Sequence, residues 1–147
     1  SYWSGIADDT DRCYLEGTPH GLMDVLGIRS TEIDGLYDWE ENEFVPVEGN
    51  ELGLDQTYTC KYLCDLVELR GAKSLMTYGK DFYAGYAALT VNEYGKGRAW
   101  HVAADADKDF FVFQEMACAS EDLQYIERRR LPARYESGAD SLLYVWI

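Results

Sequence analysis

Cys60 and Cys64 stand four residues apart in "YTCKYLCDL", and with His20 or His101 they are the nearest this sequence comes to a metal-ligating set. A structural zinc site needs a second such pair, and none follows. On an alternating strand the two thiols would share one apolar face, which points to packed free cysteines. Asp105, Asp107 and Asp109 open like a calcium loop, but Phe110 and Met116 occupy the positions where the loop requires glycine and glutamate. They read as solvated acids at a helix start. Ser4 and Ser74 lie outside any G-x-S-x-G elbow, and no acid is evident to orient either histidine. The "YGKGRAW" glycines would cradle phosphate only if they opened a helix, whereas Trp100, His101 and Val102 continue as strand. The expectation is a chain with no catalytic residue, no cofactor site and no metal site.

The elements that must position these residues are mostly β. "AALTVNEY" and "GRAWHVAA" flank Gly95 and Lys96, a hairpin signal in which Gly97 can take the positive φ of a tight connection. Tyr58, Cys60, Tyr62, Cys64 and Leu66 alternate as in a strand, with a phase change at Val67 and Leu69, and "KSLMTYG" is a further short strand. "STEIDGLY" and "EFVPVEG" are β-rich but flank the acidic run Asp38 to Glu43, which suits exposed strands and turns. Thr18 as N-cap, Pro19 at N1, Leu22, Val25 and Leu26 on one face and Gly27 as stop predict a short helix. A second helix is predicted after the hairpin, capped by Asp105 or Asp107, with Phe110, Phe113, Met116 and Ala117 on one stripe. Pro132 ends that region after the tribasic Arg128 to Arg130, and a new β unit is expected near Leu131.

The chain has 147 residues, 47% hydrophobic and 27% charged, the profile of one ordinary globular domain. Its net charge of -14 repels phosphate backbones and anionic lipid, so neither nucleic acid nor membrane is expected as a partner. Four irregularly spaced cysteines and the absence of an apolar leader in Ser1 to Thr10 point to the cytoplasm. The opening "SYWSGI" and closing "SLLYVWI" read as the ends of a piece cut from a longer polypeptide.

Taken in order, "SGIADDTDRCYLEGTPHGLMDVLGIRSTEIDGLY", "YLCDLVELRGAKSLMTYGKDFYAGYAALTVNEYGKGRAWHVAA" and "LPARYESGADSLLYVWI" resemble the middle domain of glycoside hydrolase family 42 β-galactosidases over nearly the whole chain. The resemblance implies an α/β fold, a class I glutamine amidotransferase-like (flavodoxin-like) three-layer sandwich, incomplete at its N-terminus and followed by a truncated β unit. It implies that residues 1–130 are the later part of the trimerisation domain and residues 131–147 the start of a C-terminal β domain. The expected partner is a second and third copy of the parent chain, in a homo-oligomeric trimer. The galactoside substrate and both catalytic glutamates belong to a barrel absent from this chain, so the chain alone should be inactive. Tyr2, Trp3, Phe82, Tyr83 and Tyr86 are the candidate interface residues, chosen as loop aromatics. The alternative is a small-molecule- or sugar-binding α/β module with its pocket at the carboxyl ends of parallel strands.

Overall fold

The computed structural model describes residues 3–107, 109 and 110. They form one seven-stranded sheet: β1 (Ile28–Gly35), β2 (Asn42–Pro46), β3 (Tyr58–Leu69), β4 (Lys73–Tyr78), β5 (Ala87–Tyr94), β6 (Gly97–Val102) and β7 (Ala104–Ala106), preceded by a single helical turn, α1 (Met23–Leu26). Every strand pairing is antiparallel. The α/β three-layer sandwich implied by the resemblance is therefore wrong for the described residues. Its physical reason lies in the connections: parallel neighbours need a crossover of a dozen or more residues, usually a helix. Here Arg70, Gly71 and Ala72 alone join β3 to β4, Gly95 and Lys96 join β5 to β6, and Ala103 joins β6 to β7. The pocket at parallel strand ends that the alternative module required has no place among these strands.

The hydrogen-bonded path closes on itself. β3 pairs β2, β2 pairs β4, β4 pairs β5 and β5 pairs β6; after the single residue Ala103, β7 returns to β3. Ala103 is the corner of this ring: its N–H donates to the Ala88 carbonyl (2.9 Å), and its carbonyl accepts from the Asp65 N–H (2.7 Å) and the Tyr78 hydroxyl (2.8 Å). Ala103 thus joins the two ends of this path, while β1 and β6 keep one partner strand each. β1 continues along β3 from Ile28 opposite Leu69 to Gly35 opposite Leu63.

Inside the ring Phe44, Met76, Tyr78, Leu75, Leu89, Cys60, Cys64 and Phe110 are buried together. The aromatic rings meet edge to face, Phe44 on Tyr78 at 5.8 Å and Phe110 on both Phe44 and Tyr58 at 5.3 Å, the arrangement that ring quadrupoles favour. On the outer face a second cluster of Leu26, Ile28, Val67, Ala72, Ala87 and Ala99 carries α1. The Asn92 amide donates to the carbonyls of Val25 (2.8 Å) and Asp24 (3.1 Å), which the short helix leaves without intrahelical partners.

Several local expectations change. The helix starts at Met23, not after a Thr18 cap, because Thr18 is held in a β-bridge to Ser30; Gly27 does end it, at φ 63°. The hairpin forms at Gly95 and Lys96, but the left-handed residue is Gly95 (φ 61°) rather than Gly97. β2 is no exposed strand: it lies between β3 and β4, with Asn42 and Phe44 fully buried. Asp107 caps a helical start at Asp109 and Phe110 by accepting the Phe110 N–H (3.1 Å), while Asp105 belongs to β7. Tyr2, the remainder of that helix with Phe113, Met116 and Ala117, Cys118, the tribasic run and the β unit expected from Leu131 lie outside the described residues.

Candidate interaction surface

The exposed aromatic side chains of this small ring are held by rigid supports. In β3, Lys61 pairs with Asp105 and Cys64 with Ala104, so Tyr62 and Leu63 are extra residues on the β3 side. Tyr62 absorbs the excess at φ 67°, a left-handed conformation uncommon for an aromatic residue, and its ring turns out to solvent. The Tyr62 carbonyl accepts the Leu36 N–H (2.8 Å), and Lys61 Nζ meets Glu41 Oε1 at 2.5 Å, so the loop spanning residues 36–41 is fastened to the bulge at both ends. The Lys61 ammonium holds the Glu41 carboxyl below its ordinary value, and the Lys61 value rises in return. Within that loop Tyr37 and Trp39 stack on each other at 4.9 Å, nearly parallel, with Trp39 77% exposed.

The buried Asn42 ties this loop to its neighbour. Its amide donates to the Lys80 carbonyl (3.1 Å), and its side-chain oxygen accepts from the N–H groups of Lys80 (3.0 Å) and Glu43 (2.8 Å). The loop spanning residues 79–86 is then closed by its own turns: Ala84 N–H to Asp81 carbonyl, Gly85 N–H to Tyr78 carbonyl and Tyr86 N–H to Tyr83 carbonyl. Tyr83 plugs it, fully buried and edge-on to both Tyr78 and Phe82. Phe82, 71% exposed, and Tyr86 stand outside. Aromatic residues presented on such ordered loops offer large contact area with little side-chain entropy left to lose on docking.

Of the five residues chosen from sequence, Phe82 and Tyr86 are exposed on one closed loop. Trp3 is exposed on the separate N-terminal segment, where the Gly5 carbonyl accepts the His20 N–H (3.2 Å). Tyr83 points inward and supports the loop. Tyr37, Trp39 and Tyr62 are also exposed and were not among the five. "YDWEE" did carry a signal, two large aromatics in an acidic turn, and the phase change in β3 marked the bulge without saying which residue would be expelled.

Histidine also differs from expectation. His101 does face an acid: Nε2 lies 3.3 Å from Asp65 Oδ2, off the line of a good hydrogen bond, and both side chains are buried. The Ser30 hydroxyl donates to the other oxygen of Asp65. Serine and histidine thus share the acid and do not contact each other in the way a nucleophile and its base must. Among the described residues no group of three or more His, Cys, Asp or Glu is arranged to hold a metal ion, and no helix is long and apolar enough to cross a membrane.

Residues 1–120 match the family model for the β-galactosidase trimerisation domain. The chain is 45% identical to β-galactosidase BgaP of Planococcus sp. (strain L4) over 119 residues, 80% of this chain and 18% of that protein. It is 39% identical to β-galactosidase BglY of Alicyclobacillus acidocaldarius over 153 residues, 100% of this chain and 22% of that one. Among solved structures, a β-galactosidase from Rahnella sp. R3 aligns with a TM-score of 0.78 at 50% identity, over 82% of this chain and 18% of that chain. One from Bacillus circulans sp. alkalophilus aligns at 0.74 and 35%, over 81% and 18%. The chain therefore spans 18–22% of the length of these relatives.

Proposed function

Because this chain belongs to the β-galactosidase trimerisation domain family, we propose that it holds three copies of a larger family 42 enzyme together through the aromatic loops at residues 36–41 and 79–86. The observation that carries this reading is the pair of exposed loops locked by Asn42, which present Trp39, Tyr37, Phe82 and Tyr86 on supports too well hydrogen-bonded to be incidental. Trp3 extends the proposed contact along the N-terminal segment, and Tyr2, its neighbour in sequence, is assigned to it with Trp3. The parent enzyme would hydrolyse terminal β-D-galactosides in carbohydrate metabolism, binding its galactoside in a catalytic barrel outside this chain. Retaining chemistry needs two carboxyl groups about 5 Å apart over a sugar site, a pair that this reading assigns to that barrel.

The trimerisation domain would end near residue 130 and a C-terminal β domain begin at 131, a division supported by the family match that stops at residue 120. The cytoplasmic location in this reading rests on the number and irregular spacing of the four cysteines in the sequence. The test of assembly is light scattering on the enzyme that carries this chain, with Trp39→Ser and Phe82→Ser combined. Truncating a central interface aromatic costs about 2 kcal/mol or more, so the trimer should fall to monomer at micromolar concentration with the circular dichroism unchanged. A trimer mass that survives both substitutions would reject these loops as the contact.

A further inference from the structure

We infer that Cys60 and Cys64 are a redox-active dithiol that closes to an internal disulfide within the folded chain when a hydroperoxide reaches it. Four residues along a regular strand would hold two side chains far apart, but the bulge shortens the distance. Cys60 pairs with Ala106 and Cys64 with Ala104, so the two cysteines sit only two rungs apart on β7. Two rungs of about 3.3 Å place the Cα atoms about 6.6 Å apart, within the about 4.4–6.8 Å that a disulfide spans. Both side chains point into the same core cluster, both are fully buried, and neither is bonded to another cysteine.

The neighbouring Cys60 thiol holds the Cys64 thiol below its ordinary value and is itself pushed up. Cys64 serves as the attacking thiol and Cys60 as the resolving one, and exchanging the two roles forms the same bond. Cys64 sulfur attacks one peroxide oxygen, the O–O bond breaks, and a sulfenic acid and one water form. Cys60 sulfur then attacks Cys64 sulfur, the S–O bond breaks, and the hydroxyl leaves as a second water with the Cys60 proton. Two thiols lose two electrons and two protons, and one hydrogen peroxide becomes two waters. Hydrogen peroxide, one oxygen larger than water, enters when β7 lifts, since a strand of three residues opens more readily than the longer ladders around it. The bond ties the two ends of the bulge that presents Tyr62, so the oxidised chain keeps that ring on the surface.

The test treats the 147-residue chain with hydrogen peroxide, alkylates it in denaturant and maps the peptides by mass spectrometry. A peptide linking Cys60 to Cys64, with two alkylation sites lost and both restored by dithiothreitol, is the expected result. Two outcomes overturn the inference: both cysteines still alkylated at doses that consume the exposed Cys13, or sulfinic acid on Cys64 beside a free Cys60. In the Cys60→Ser chain the cross-link should be absent; its persistence through Cys13 or Cys118 would overturn the assignment.

Discussion

Tyr78→Phe tests whether the sheet is closed at the Ala103 corner. The hydroxyl of Tyr78 donates to the Ala103 carbonyl at 2.8 Å and lies 3.2 Å from the Asp65 carbonyl, so one buried group from β4 reaches across the ring to both sides of the seam. Burial pushes its phenol well above the ordinary value, so the group stays a donor at any pH suited to a melt. Phenylalanine keeps the ring and its edge-on contacts, so no cavity term arises and only the hydrogen bond is lost. The Ala103 carbonyl retains the Asp65 N–H as a donor (2.7 Å), which limits the penalty to about 1–2 kcal/mol. With a urea slope near about 2 kcal/mol/M for a domain of this size, the midpoint should fall by about 0.5–1 M. Amide exchange at Asp65 should accelerate by about tenfold for each 1.4 kcal/mol if the seam opens locally. An unchanged midpoint with unchanged Asp65 protection would refute the bridging role, and with it the description of Ala103 as the point where the ring is held shut.

Two further pairs of substitutions separate support from surface. Gly27→Ala should cost at least about 2 kcal/mol in a thermal melt, because φ is 63° and a methyl would lie 2.7 Å from the Ala72 nitrogen and 2.5 Å from Asn92 Cγ. Gly95→Ala shares the backbone conformation (φ 61°) but meets nothing within 4 Å, so it should lose only about 1 kcal/mol. Tyr83→Ala empties a buried site and should destabilise by about 3–5 kcal/mol in urea, whereas Phe82→Ala, one residue away and largely exposed, should stay within about 0.5 kcal/mol. Equal losses at the two positions would mean that the loop does not divide into plug and display.

Local pairing was the most legible level of this chain. The β5–β6 hairpin follows from alternating runs and a glycine in a two-residue turn, information contained within sixteen consecutive residues, and its register from Tyr94 opposite Gly97 to Leu89 opposite Val102 is regular. β3 was legible as a strand for the same reason. What local pattern does not encode is which side of a strand will be covered. β2 sits beside an acidic run and looks superficial, yet Phe44 is drawn into the middle of the sheet by partners at Tyr58 and Tyr78, fourteen and thirty-four residues away. The Asp65–His101 contact was hidden likewise, since thirty-six residues separate the two and neither neighbourhood advertises the other. The fold class failed for a different reason: it came from likeness to a larger domain, while the residues themselves already showed period-two patterning and connections too short for crossovers.

The exposed aromatic surface was half legible because exposure has two physical sources. Phe82 and Tyr86 lie in a window rich in glycine and lysine, where the chain must turn and its aromatics have a fair chance of facing water. Tyr62 lies in an alternating strand, and every local rule would bury it. It is expelled because β7 advances by one residue where β3 advances by three, so the strand that must close the ring is too short to match its partner. The misfit that brings Cys60 beside Cys64 in the core therefore also pushes Tyr62 outside. Deleting Tyr62 and Leu63 together would restore regular pairing between β3 and β7 while removing the exposed ring and the carbonyl that anchors Leu36. The mismatch with β7 thus sets the position of the loop spanning residues 36–41.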